Sequence, residues 1–179
     1  EKYHIVGWMK RFSEIVCEIY SKKIKNKMKT IIIRPGNLYG PHDKFDPKKS
    51  KVIPSLISKV SARQNPINVW GDGMDLKDFL YIEDFCDVLV KIINRTKNFE
   101  TYNVASGKSV TIRKILKILI KIEKLENNEI DYDSSKPTMI PKRLINITKI
   151  KKQFKFKPSI SLEEGLVRTI KWYKKEKNL

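Results

Sequence analysis

Residues 30–41 read TIIIRPGNLYGP, a short apolar β-branched run that passes through proline into a loop with two glycines. Ile31, Ile32 and Ile33, with no polar residue alternating between them, have the pattern of a parallel-sheet strand covered on both faces, and Pro35 ends the ladder. Gly36 and Gly40 free the backbone at the carboxyl edge of that strand, where Asn37 and Tyr39 offer polar groups. Open α/β sheets bind their ligands along that edge. Read alone, the same residues equally make an ordinary strand exit with Gly and Pro as punctuation.

Around this strand the apolar spacing alternates between helical and extended. Trp8, Phe12, Ile15, Val16, Ile19 and Tyr20 recur at three and four, which predicts an amphipathic helix from Tyr3 to about Lys25. It opens without a cap, as expected of a piece of a larger protein. After the strand at 30–35, a loop reaches residue 51, and loops of that length in compact domains are usually functional. A helix from Val52 to about Ala62 carries Ile53, Leu56, Ile57 and Val60 on one face, Ile67 to Trp70 reads as a strand, and GDGMDLKDF reads as turn-rich. A helix at 82–94 points Phe85, Val88, Leu89, Ile92 and Ile93 inward, a strand at 101–104 meets the turn Ala105-Ser106-Gly107, and Thr111 caps a helix to Ile122. Short strands are expected at 129–132 and 143–147. Ser161 caps a last helix to about Lys175, with Glu164 as its capping-box partner. Strands alternating with helices mark an α/β architecture with a mainly parallel sheet.

Composition narrows the function. A chain of 179 residues, 40% hydrophobic and 32% charged, can bury a core and is neither disordered nor fibrous. No apolar run approaches the roughly 20 residues of a membrane span, and EKYHIVGWMKRF lacks the apolar stretch of a signal peptide, so a cytoplasmic protein with no membrane partner is expected. Cys17 and Cys86 lie in apolar helical patterns and are expected as buried free thiols; with His4 and His42 they build no metal cluster. The net charge of +18 comes from 31 Lys and only 7 Arg, scattered over the chain. Phosphate- and base-reading sites favour the bidentate fork of Arg, so this is a lysine-rich bias and no nucleic-acid partner is expected. The densest run, KIKKQFKFK at 149–157, reads as a solvated face with two core phenylalanines. Gly71 and Gly73 are not followed by a third glycine, so the chain holds no GxGxxG fingerprint.

NLYGPHDKF at 37–45, SKVIPSLI at 50–57, VWGDGMDLKDFLYIED at 69–84, NVASGKSVTI at 103–112, SKPTMIPKRLIN at 135–146 and SLEEGLVRTIKWY at 161–173 occur in that order. Together they resemble the C-terminal part of the extended short-chain dehydrogenase/reductases, the NAD-dependent epimerase/dehydratase family, and within it the GDP-L-fucose synthases. The resemblance spans nearly the whole chain. It implies the C-terminal portion of a Rossmann-like parallel sheet interleaved with a small α/β substrate-binding domain, the N-terminal half being absent. Residues 1–40 and 74–105 would belong to the dinucleotide-binding domain, and 41–73 and 106–179 to a nucleotide-sugar-binding subdomain. It further implies an NADP or NAD cofactor, a nucleotide-sugar substrate, a reaction that reduces or epimerises a 4-keto sugar, and a homodimer at full length. Lacking the phosphate loop, the chain alone is expected to be inactive and to bind NADPH weakly.

By matching motifs, Lys10 is similar to the family lysine that holds the nicotinamide ribose and supports a catalytic tyrosine. Pro35, Gly36, Asn37 and Leu38 match the segment near the nicotinamide end of the cofactor. Lys59, Trp70 and Lys77 fall where the fucose synthases contact substrate, and an aromatic face with two cations suits a base or sugar and a diphosphate. Four positions depart from the family pattern. Lys51 replaces a histidine that acts in double epimerisation, Thr138 and Asn146 replace acidic residues, and Val6 stands where the tyrosine is expected, four residues before Lys10. Either the proton donor is lost and Lys10 only holds ribose, or an irregular first turn brings Tyr3 or His4 into the site.

Overall fold

The computed structural model describes residues 4–136 and 140–179. In chain order the elements are α1 (His4–Lys22), β1 (Ile31–Pro35), β2 (Asn37–Tyr39), α2 (Val52–Ser61), β3 (Ile67–Trp70), β4 (Leu76–Tyr81) and α3 (Ile82–Arg95). They continue with β5 (Glu100–Val104), β6 (Ser109–Thr111), α4 (Ile112–Glu123), β7 (Ile130–Asp133), β8 (Lys142–Arg143), α5 (Thr148–Phe154) and α6 (Leu162–Lys177). Among the described residues pairing is parallel for β1–β5, β2–β4, β3–β7 and β4–β8, and antiparallel only for β4–β6. The fold is therefore α/β with mainly parallel pairing.

The sequence reading missed strand β4, because the turn chemistry of GDGMD runs into it and its apolar residues do not alternate, and it missed the three-residue strands β2 and β6, which are too short to show a pattern. The second half of β4, Phe79 to Tyr81, pairs with β2, while Leu76 to Asp78 pair with β6 and Leu76 and Lys77 with β8. Two apolar cores form around it. The larger gathers Ile53, Leu56, Ile57 and Val60 of α2 with Ile115, Leu116 and Leu119 of α4 and Leu166 and Ile170 of α6. The smaller packs Val88 and Ile92 of α3, Tyr102 and Val104 of β5, and Ile150 and Phe154 of α5. Helix α5 was also missed: KIKKQF has too few apolar residues to show a helical stripe, yet Phe154 and Phe156 are buried as expected.

Other readings change. The run Ile31 to Ile33 is half-buried rather than covered on both faces, since β1 has β5 as its one strand neighbour among the described residues. Helix α1 buries none of its described residues, leaving Trp8, Met9 and Phe12 about two-thirds exposed. A bidentate pair from Arg34 to Glu14 (2.7 and 2.5 Å) and a Thr30 hydroxyl donated to the Cys17 carbonyl tie α1 to β1. The guanidinium holds the Glu14 carboxyl below its ordinary value. Both cysteines are free, but neither is buried as expected: Cys17 is half-buried on α1, which buries none of its described residues, and Cys86 is exposed, because it lies beside the stripe that Val88 and Ile92 define. Ile93, read as inward, is 49% exposed. The strand read at 143–147 is the two-residue β8. Thr111 and Ser161 cap α4 and α6 as read, each accepting from the backbone N–H three residues on, but the Glu164 carboxylate pairs with Arg168 instead of returning to the cap.

The interior polar group that organises β4 is Asp78, fully buried. Its Oδ1 accepts from Ser106 N (2.8 Å) and Ser106 Oγ (2.6 Å), and its Oδ2 from Gly107 N (2.9 Å). Asp78→Ala leaves two buried backbone donors without an acceptor, and each hydrogen bond to a charged group contributes about 1.5–3 kcal/mol. The expected loss is about 3 kcal/mol, read as a fall in urea midpoint with unchanged slope; a change under about 0.5 kcal/mol would show the turn to be held by other contacts.

Candidate functional site

A cavity of about 300 Å³ opens where the 47–52 loop, α2, the end of β3, the start of β4 and β8 converge. Its size is at the lower end of small-molecule sites. Each wall has a local cause. The 41–51 loop is held by Phe45, which stacks on Tyr173 with ring centroids 4.5 Å apart, and by His42 against Trp172 at 4.8 Å. That anchoring delivers Pro47, Ser50 and Lys51 to the mouth. Helix α2 turns its apolar face into the core and leaves Ser55 and Lys59 on the cavity side.

Four of the residues expected from the sequence meet here: Asn37, Lys59, Trp70 and Lys77 all line this cavity. Trp70 is 63% exposed, an aromatic face at the rim rather than a core side chain. Lys59 Nζ donates to the Asn68 carbonyl (2.7 Å), and partial burial pushes its ammonium below the ordinary lysine value. Lys77 Nζ donates to the Ile140 carbonyl and pairs with Asp75 at 3.0 Å, which fixes its head at the junction of β4 and β8. Asn37 Nδ2 donates to the Asp78 carbonyl (2.8 Å), so its side chain is oriented by β4. The sequence reading missed Arg143, which β8 brings to the lining; the signal was its place in PKRLIN beside a strand. With Lys51 the lining carries four cations against the single carboxylate of Asp75, an arrangement that favours a bound dianion.

The remaining candidates lie apart from this lining. Pro35 ends β1 exposed, and Gly36 follows it with its N–H donated to Val104 O (2.8 Å). A Cβ on Gly36 would stand 3.0 Å from Ala105 Cβ, so β1 and β5 close tightly at this edge. Leu38 is half-buried against the smaller core. Lys10 is exposed on α1, one regular turn beyond Val6, and the helix is continuous from His4. His4 precedes Lys10 by six residues, well off that face, and Tyr3 and Thr138 lie outside the described residues.

Residues 7–105, more than half of the chain, match the model of the NAD dependent epimerase/dehydratase family. The chain belongs to that family. Over 162 residues it is 34% identical to a probable GDP-L-fucose synthase 1 from Oryza sativa subsp. japonica, a match covering 88% of this chain and 48% of that relative. A dTDP-4-dehydro-6-deoxy-D-allose reductase from Streptomyces bikiniensis is 29% identical over 166 residues, covering 92% of this chain and 49% of the relative. The fold superimposes on a UDP-glucose 4-epimerase from Thermotoga maritima with a TM-score of 0.84 at 24% identity, over 95% of this chain and 53% of that one. The chain thus spans about half the length of the relatives it matches, and its fold is Rossmann-like α/β. No helix among the described residues is long and apolar enough to cross a membrane.

The lowered Lys59 value has a direct consequence. As pH rises through it the head loses its charge, so attraction for a phosphate falls there, whereas a bound anion favours the charged form and moves the value back up. Acylation of Lys59 followed by mass spectrometry across pH should show its midpoint below the ordinary lysine value, shifted upward by a nucleoside diphosphate. A midpoint unmoved by that ligand would place Lys59 outside the anion site.

Proposed function

We propose that the complete protein is an NAD(P)-dependent nucleotide-sugar epimerase or reductase acting on a 4-keto sugar, resembling the GDP-L-fucose synthases. The observation that carries this reading is the convergence of Asn37, Lys59, Trp70 and Lys77, with Arg143, on one cavity. Trp70 offers a face for a base or sugar, and Lys59, Lys77 and Arg143 offer cations to the diphosphate. Relatives that carry GDP and dTDP sugars in their names match this chain with similar identity, so the base and the sugar stay open in this proposal.

The cofactor edge fits only the nicotinamide end of NADP or NAD. Pro35, Gly36, Asn37 and Leu38 lie where β1 leaves the sheet, and the tight Gly36–Ala105 approach leaves the backbone itself as the surface offered to a ligand. Lys10 would hold the ribose. The cofactor, when bound, supplies or accepts the hydride. No glycine fingerprint for the pyrophosphate stands in this sequence. We assign the complete protein to the cytoplasm and to a homodimer, the exposed apolar residues of α1 being consistent with further protein surface covering them.

One observation favours a second reading, a non-catalytic nucleotide-sugar-binding relative: Val6, which has no proton to give, occupies the turn before Lys10 in a regular helix. In the complete protein, Trp70→Ala and Lys77→Ala should weaken nucleoside diphosphate binding with the fold intact, the lost charge contact of Lys77 costing about 1.5–3 kcal/mol, measured by calorimetry and circular dichroism. Unfolding by the first and no effect of the second would make both residues structural. Val6→Tyr, assayed by NADPH oxidation with 4-keto-6-deoxy nucleotide sugars, should raise a low parental rate if the tyrosine was lost. High parental activity that collapses in Tyr3→Phe would place the proton donor at Tyr3.

A further inference from the structure

A second cavity, about 970 Å³, lies between β4, the 106–111 segment and the 156–162 segment, and shares no lining residue with the first. Phe79, Leu80 and Phe156 supply apolar floor. Its charged lining is wholly cationic: Lys108, Lys114, Lys151 and Lys157, with no Asp or Glu. These lysines come from four separate pieces of backbone: the turn after β5, the first turn of α4, α5, and the segment entering α6.

Three facts set this group apart from a lysine-rich surface. The four rim lysines, which like most lysines of the chain meet no carboxylate among the described residues, gather around one cavity that no Asp or Glu lines. Lys114 stands in the first turn of α4, where the helix field opposes a cation, and no acidic residue in that turn offsets it. Both rims are fixed from behind by buried carboxylates. Asp78 holds the 106–107 backbone, and Asp84, 4% exposed, accepts from Ser159 N (2.8 Å), Ser159 Oγ (2.6 Å) and Ile160 N (3.1 Å). Lys151 Nζ reaches over the first rim, 3.9 Å from where a Gly107 Cβ would stand. The four lysines are exposed, so solvent screens their mutual repulsion in part, and a multivalent anion seated among them would relieve the remainder.

We propose that this second cavity binds a di- or triphosphate group, free or borne on a nucleotide. The site is independent of the substrate reading above, since neither its residues nor its cavity is shared. The apolar floor and the volume admit a nucleotide-sized ligand, while the four ammonium groups meet the phosphates.

Calorimetry of the complete natural chain with inorganic tripolyphosphate at 0.1 M salt tests this. In a Lys59→Gln/Arg143→Gln background that silences the first cavity, Lys108→Gln/Lys151→Gln should weaken binding at least tenfold, while Lys117→Gln/Lys121→Gln on the open face of α4 should change it less than twofold. The rim variant should melt no lower than the parent, and tripolyphosphate should raise the parent's melting temperature more than the variant's. ADP binding that falls in the same rim variant identifies a nucleotide as source; ADP binding that does not identifies free polyphosphate, and both uphold the phosphate site. Equal losses in the α4 pair, a loss only in the first-cavity pair, or no saturable binding would overturn it.

Discussion

The Asp78 carboxylate reaches the 106–107 turn through three hydrogen bonds while its own backbone carbonyl accepts from Asn37, so one buried residue joins the start of β2, strand β4 and the turn after β5. Burying such a group is tolerable only when its acceptor capacity is filled, and here the donors are two backbone amides and the Ser106 hydroxyl, which the turn presents together. The turn is shaped for this by Gly107 at φ +73, where a Cβ would also meet Ile147 Cδ1 at 2.7 Å. Both cavities depend on this arrangement. One side of β4 carries Lys77 into the first, and the tethered turn carries Lys108 to the second.

The same logic recurs one element later. Asp84 binds Ser159 and Ile160 and so brings the start of α6 onto β4, where Gly165 makes room for Tyr39. A Cβ at Gly165 would stand 2.3 Å from Tyr39 Oη, so helix and strand pack closer than any side chain allows. Burial raises the Tyr39 phenol, which stays a neutral part of that packing against Tyr81. The two aspartates lie on either side of the junction between β4 and α3, and together they hold the C-terminal segments against the strand that bears Lys77.

Charge is distributed unevenly over this frame. The chain is basic throughout, yet its cations fall into three situations: paired, as Arg34 with Glu14 and Lys77 with Asp75; solvated; and gathered without a lining carboxylate around the second cavity. The last kind is uncommon by chance packing because like charges repel, and it is the one that speaks of ligands. Total charge carried none of that information.

The sequence by itself determined the alternation of helices and strands, the caps at Thr111 and Ser161, the core faces of α2 and α4, and, through ordered motifs, the family. These are readable locally because periodicity and capping involve residues a few positions apart. Only the tertiary structure decided that Asn37, Lys59, Trp70, Lys77 and Arg143 share one cavity, that β4 is a strand, and that residues 148–154 form α5. β4 and α5 draw their stability from partners tens of residues away rather than from their own periodicity, so no local pattern marks them. Exposure on α1 escaped the sequence for the converse reason: an amphipathic stripe states that a face is to be covered and is silent on what covers it.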